Sequence, residues 1–160
     1  TPSNSSAASD VYKRQYLFTY VDHPEMTQLL VKQLLMTAFA ARPDGLPGDE
    51  DNGSMAGWYV LSALGFYPVT PGSAEYVLGM PLFDKVTLKL PDNQQFVIET
   101  TQNVDHHLFV KEWLFNQQSY TLPFITHQAL MTGGTLTAHL GLAPSLRENS
   151  KMPFSISTNM

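Results

Sequence analysis

The sequence predicts an α-then-β chain. Two helices joined by an acidic loop come first, and a small antiparallel, sandwich-like segment of short strands follows. Three observations carry this. Apolar residues recur near the 3.6-residue helical period from Pro24 to Ala41. Beyond Pro68 they fall into short alternating runs separated by Pro, Gly, Asn and Asp. Between these regimes lies one stretch dense in acids and glycines, Asp44 to Gly53. Of the 160 residues, 43% are hydrophobic and only 14% charged, which is enough apolar material for a core.

Residues 1–15 are expected to stand outside the fold as a non-native or disordered leader. Thr1 to Asp10 is a Ser/Asn/Ala string without periodicity, and Val11-Tyr12-Lys13-Arg14-Gln15 resembles a translated sequencing-adaptor remnant. Tyr16 to Tyr20 reads as the tail of an earlier helix. Pro24 and Glu25 suit the first turn of the next helix, which carries Met26, Leu29, Leu30, Leu34, Met36 and Phe39. That apolar face is broad, as in a helix packed on two sides within a bundle or barrel. A second helix is expected from Ser54 to Leu64, stopped by Gly65. Strands are expected at Tyr76–Leu78, Val86–Leu90, Phe96–Ile98, Leu108–Val110, Tyr120–Ile125 and Leu136–Leu140. Residues 146–160 are weakly patterned, so the division is 1–15, 16–69, 70–145 and 146–160.

Composition excludes several functions. A net charge of −5 with nine Lys and Arg makes a poor nucleic-acid partner. Leu29 to Ala41, the longest apolar candidate, is interrupted by Lys32, Gln33 and Thr37 and cannot serve as a membrane span. The absence of cysteine removes disulfides, thiolate metal sites and Cys nucleophiles. Neither a G-x-S-x-G elbow nor a phosphate loop is present.

Chemistry concentrates in Pro43-Asp44-Gly45-Leu46-Pro47-Gly48-Asp49-Glu50-Asp51-Asn52-Gly53. In a locally extended backbone Asp49 and Asp51 share one face, about 7 Å apart by the strand repeat. Such a pair suits metal binding, activation of a water, or sharing of one proton. The competing reading is structural: Asp51 or Asn52 caps the following helix and the acids are a solvated turn. An EF-hand fits poorly, since counting from Asp49 puts the glycine at position 5 and Val60 at position 12. His106 and His107, read as strand neighbours, point to opposite faces and cannot ligate one ion together. His127 and His139 are expected in strands as core or surface residues. Trp58, Tyr59, Phe66 and Tyr67 flank the loop. Packing is their default role, and stacking on a sugar ring is the alternative.

The run from Pro43 to Gly53, with Met55, Trp58-Tyr59-Val60 and Ser62-Ala63-Leu64-Gly65-Phe66-Tyr67-Pro68-Val69, resembles glycoside hydrolase family 92. These are calcium-dependent, inverting, exo-acting α-mannosidases. Further matches are Pro71-Gly72-Ser73, Tyr76, Pro81-Leu82-Phe83-Asp84-Lys85 and Gly133-Gly134, so the resemblance covers about Tyr16 to Ser145. It implies an N-terminal β-sandwich followed by an (α/α)6 barrel, of which this chain holds the last helices and the C-terminal β segment. It also implies that Asp49 and Asp51 match the family's general-base aspartates, activating a water opposite the leaving group. By the same resemblance, the general acid and most calcium ligands belong to upstream segments. The implied partners are mannose-containing glycans and the rest of the same polypeptide, in a secreted or periplasmic location.

Three departures stand out. Tyr12 to Gln15 replaces the family's His-rich approach to the Tyr-Leu pair, Ser54 stands where Gln is common, and Asn116-Gln117 replaces an Asn-Gly turn. The resulting expectation is a fragment of an α-mannosidase, inactive alone because the acid is missing. The alternative is a non-catalytic carbohydrate-binding β module with an acidic calcium loop. Barrel helices without their neighbours leave apolar faces such as Leu29, Leu30 and Leu34 uncovered. The isolated chain is therefore expected to oligomerise or aggregate, and a clean monomer by light scattering would contradict that.

Overall fold

A computed structural model describes residues 12–48, 52–104, 106–145 and 151–159. The helical part comes first. A 3-10 helix, Gln15–Val21, leads into α1, Pro24–Thr37, and α2 follows the acidic loop at Ser54–Leu64. α1 stops short of Ala41 for a local reason. The Ala40 N–H donates to the Gly45 carbonyl at 2.9 Å, so it is lost to the helical ladder. α2 ends as its sequence requires, on Gly65 in the left-handed region (φ 104°), where a Cβ would press into the Pro81 ring.

Eight strands follow among the described residues: β1 Phe66–Tyr67, β2 Glu75–Leu78, β3 Lys85–Lys89, β4 Gln95–Thr101, β5 Phe109–Phe115, β6 Gln118–Tyr120, β7 Phe124–Thr126 and β8 Gly134–Gly141. They form two sheets, a small one in the order β1-β2-β7 and a larger one in the order β3-β4-β8-β5-β6. All pairings are antiparallel except β4 with β8. The expected wholly antiparallel segment is thus a mixed one. Phe66, Leu78 and Ile125 from the small sheet share a core with Phe96, Ile98, Val110, Trp113, Leu136, Ala138 and Leu140 from the larger.

Two expectations on local structure are corrected. The single strand expected over Tyr120–Ile125 is two strands in different sheets. Pro123 lacks the N–H a continuous ladder needs, and its carbonyl accepts instead from Leu78 N at 2.9 Å. His127 lies not in a strand but at the start of α3, His127–Met131, whose N-cap Thr126 accepts from Ala129 N. The substituted turn Asn116-Gln117 keeps both residues at positive φ, 50° and 67°, as a two-residue type I′ hairpin demands. Asn116 is well suited to that backbone, and its Oδ1 accepts from Thr135 N.

A second core joins the helices to the small sheet: Tyr12, Tyr16, Val31, Leu35, Met55, Trp58, Ala63 and Val77. Val77 and Leu78 are successive residues of β2, so one strand serves both cores. Of the expected leader, residues 1–11 lie outside the described residues, whereas residues 12–14 are helical and Tyr12 is buried, so packing reaches back beyond Tyr16. Of the expected tail, residues 151–159 are described. Pro153 is buried, and Phe154 N donates to Glu75 Oε2 at 2.6 Å. The apolar faces differ in detail from expectation. Leu29, Leu30 and Leu34 are half-buried, and the exposed apolar side chains of the helical part are Leu17, Val21, Met36, Leu46 and Val60.

Tyr16 ties the parts together. It is fully buried, its hydroxyl donates to Ser62 Oγ on α2 at 2.9 Å, and its ring stacks on Tyr67 of β1 at 5.2 Å. Burial pushes the phenol above its ordinary pKa, so it stays a neutral donor. Tyr16→Phe orphans the buried Ser62 hydroxyl and should cost about 1–3 kcal/mol in denaturant unfolding. Adding Ser62→Ala should cost little more, because both partners are then gone. Strictly additive losses would show that the bond does not couple the two elements.

Candidate active site

The acidic loop leaves α1 at Phe39 and enters α2 at Gly53. Its first half is a tight turn closed by Arg42 N to Ala40 O, Gly45 N to Arg42 O and Ala40 N to Gly45 O, each 2.9 Å. Gly45 is buried in this turn, and a Cβ there would collide with the Ala40 carbonyl. Arg42 Nε pairs with Asp44 Oδ1 at 3.2 Å, but both side chains are largely exposed, so the pair adds little.

The second half ends in two left-handed residues, Asn52 (φ 56°) and Gly53 (φ 86°). Asn and Gly are the residue types that adopt this backbone most readily. The N-cap of α2 is Gly53, which has no side chain to cap with. Because the N-cap is Gly53 and no side-chain cap bond is made, the exposed Asn52 is not the cap that the structural reading of the loop allowed. Asp49 and Asp51, the expected catalytic pair, lie outside the described residues, as does Glu50.

The flanks of the loop are joined by an aromatic clasp. Phe39 stacks on Trp58 of α2 with centroids 5.8 Å apart and planes 15° apart, and it also meets the Tyr59 ring at 4.8 Å. Tyr12 covers the Trp58 ring at 5.1 Å. Trp58 is fully buried, and its Nε1 donor has no hydrogen-bond partner among the described residues. A cleft of about 300 Å³ opens beside the clasp, lined by Phe39, Ala41, Leu46, Ala56, Tyr59 and Val60. Of the four aromatics that flank the loop, Trp58 and Phe66 are core, Tyr67 stacks on Tyr16, and Tyr59 alone lines this cleft. Phe39 is the residue that sequence reasoning missed. Its helical spacing marked it as apolar but gave no sign of its partner.

The histidines are dispersed. His106 and His107 sit in a turn before β5 rather than on a strand, with their rings edge to face at 4.9 Å. His107 Nδ1 contacts Gln102 O, His127 Nδ1 the Tyr76 hydroxyl and His139 Nδ1 the Thr101 hydroxyl. No three His, Asp or Glu side chains converge on a metal-sized site among the described residues. Those residues by themselves do not make a calcium cage. Nor is any described helix long and apolar enough to cross a membrane.

The model of the glycosyl hydrolase family 92 catalytic domain matches residues 11–142, more than half of the chain. The chain belongs to glycoside hydrolase family 92. Among solved structures it is similar to a family 92 inverting mannosidase of Bacteroides thetaiotaomicron, with 39% identity and a TM-score of 0.79 over 84% of this chain. It is also similar to a family 92 α-mannosidase of the same organism solved with mannoimidazole, with 26% identity and a TM-score of 0.79 over 84% of this chain. A secreted glycosidase of Arthroderma benhamiae, itself uncharacterised, is 26% identical over 79% of this chain. The chain spans 18% of each of the two structures and 17% of the fungal protein, less than a fifth of their lengths.

The turn geometry makes a direct prediction. Gly45→Ala forces Ala40 and Gly45 apart and should cost about 1–3 kcal/mol by overpacking, read by denaturant unfolding. A variant as stable as the parent would show that this turn does not anchor the loop.

Proposed function

We propose that the protein of which this chain is a part is an exo-acting α-mannosidase that inverts configuration, releasing terminal mannose from mannose-rich glycans. Asp49 and Asp51 form its general base. What supports the reading is the family to which the chain belongs, together with the Pro43–Gly53 sequence that matches the family's aspartates; among the described residues, the first half of this loop is closed by the Ala40–Gly45 turn and its two flanks are joined by the Phe39–Trp58 stack. A base must hold its water in line with the anomeric carbon, and joined flanks suit a loop with that task.

In this mechanism one aspartate of the pair takes a proton from water as the oxygen attacks the sugar face opposite the leaving group. The other sets the charge and orientation of the first. Inversion requires base and acid about 6.5–9.5 Å apart, leaving room for that water. The acid is a glutamate of an upstream barrel helix. On this reading residues 16–69 are the last helices of an (α/α)6 barrel and residues 70–145 its C-terminal β segment, and the chain alone is inactive. Calcium, implied by family membership, would be held mainly by upstream residues and would supply contacts to sugar hydroxyls. The protein acts outside the cytoplasm, in keeping with the secreted fungal relative.

The β part is a poor candidate for a free-standing binding module. Its β5 is fastened to α1 by Gln28 Oε1, which accepts from Val110 N at 2.9 Å, and Lys32 Nζ of α1 donates to His107 O at 3.1 Å. In the full-length protein, Asp51→Asn should cut turnover of an α-mannoside by about 10²–10⁴-fold with little change in melting temperature. Near-normal turnover would remove Asp51 from the mechanism.

A further inference from the structure

Asn52 is followed by glycine, whereas every other asparagine of the sequence precedes a residue with a Cβ. The pairing matters chemically. The backbone nitrogen of the following residue can attack the carbonyl carbon of an asparagine side chain, and a Cβ on that residue obstructs the approach. Gly53 has none.

The reacting groups are open to the solvent and to each other. Asn52 and Gly53 are both exposed and form the turn that precedes the helical ladder of α2. The Gly53 carbonyl is held by Gly57 N at 2.9 Å. Among the described residues, neither the Asn52 carboxamide nor the Gly53 N–H makes a hydrogen bond.

Comparable sites each lack one of these conditions. Asp44 also precedes a glycine, but Gly45 N donates to Arg42 O at 2.9 Å inside a closed turn. Asn93 shares the left-handed backbone of Asn52 (φ 56° in both), yet it precedes Gln94, whose N–H donates to Pro91 O at 3.2 Å. Asn116 is left-handed too, but Gln117 follows and its Oδ1 accepts from Thr135 N at 2.9 Å. Asn103 Nδ2 donates to Asp84 Oδ1 at 2.9 Å.

We propose that Asn52–Gly53 is a site of spontaneous deamidation in the folded protein. Gly53 N gives up its proton to hydroxide and bonds to Asn52 Cγ, and the side-chain amide leaves as ammonia. Water then opens the cyclic imide. Breaking its N–Cγ bond gives aspartate, and breaking the bond from N to the main-chain carbonyl carbon gives isoaspartate. Water is consumed and ammonia released, with no oxidation or reduction. Isoaspartate routes the chain through Cγ and so inserts a CH₂ between Asp51 and α2. That displacement lowers turnover, a consequence that rests on the function proposed above, whereas the modification does not.

The experiment incubates the folded full-length protein at mildly acidic and mildly alkaline pH. Its peptides are followed by mass spectrometry and isoaspartyl methyltransferase labelling, and α-mannoside turnover is read on the same samples. Asn52→Gln is the blocked variant, with melting temperature checking its fold. The peptides of Asn93, Asn103 and Asn116 serve as internal references whether or not that variant folds. The Asn52 peptide should convert about tenfold or more faster than these references, and faster at alkaline pH. Conversion at the pace of the references, or only after unfolding, would overturn the site. Turnover that falls in step with isoaspartate in the parent, but holds in Asn52→Gln, supports the consequence for the loop; steady turnover during conversion would overturn it. Conversion in a protein that never hydrolyses a mannoside would overturn the proposed activity and leave the modification site standing.

Discussion

Phe39 and Trp58 stand on opposite sides of the acidic loop, and their stacked rings fix how far apart its two ends can be. A loop between free helices would sample many closures, and each frozen backbone residue costs roughly 1–2 kcal/mol of entropy. Stacking adds about 0.5–1.5 kcal/mol beyond the area it buries. Its larger effect is geometric, because it converts an open connection into a closed ring with defined ends. Gly45 then tightens the first half of that ring from within, and the left-handed Asn52 and Gly53 turn the chain sharply into α2.

The clasp holds only because α1 and α2 are themselves held. Tyr16 reaches from the 3-10 helix to Ser62 of α2 and stacks on β1, while Gln28 and Lys32 fasten α1 to β5 and the turn before it. These are polar bonds in apolar surroundings, so each fixes a position more than it adds net stability. β2 completes the arrangement by presenting Val77 to the helices and Leu78 to the sheets. The strands thus act as a brace for the helices that carry the loop. The exposed Leu17, Val21, Met36 and Val60 leave the helices with apolar side chains uncovered in this chain.

Much of this was legible in the sequence wherever local rules decide. α2 begins and ends as read because Gly53 and Gly65 both suit left-handed backbone. The end of α1 was not legible, since it depends on Gly45 returning to take the Ala40 N–H. Pro123 was a visible signal that the Tyr120–Ile125 run must break, and Thr126 a visible cap for the short α3. The parallel pairing of β4 with β8 had no such signal, because alternation says which face is buried and nothing about the neighbouring strand. For the site, spacing and composition marked the acids as unusual. Their assignment to Asp49 and Asp51 came from family resemblance, and the Phe39–Trp58 contact came from neither.

If, as proposed, a water activated on this loop displaces the leaving group in a single step, the anomer released first reveals it. Proton NMR of the full-length protein acting on an α-mannoside should show β-mannose appearing before mutarotation supplies the α form. Initial release of α-mannose would mean a double displacement through a covalent intermediate, and the aspartate pair could then not act as a base for direct attack by water.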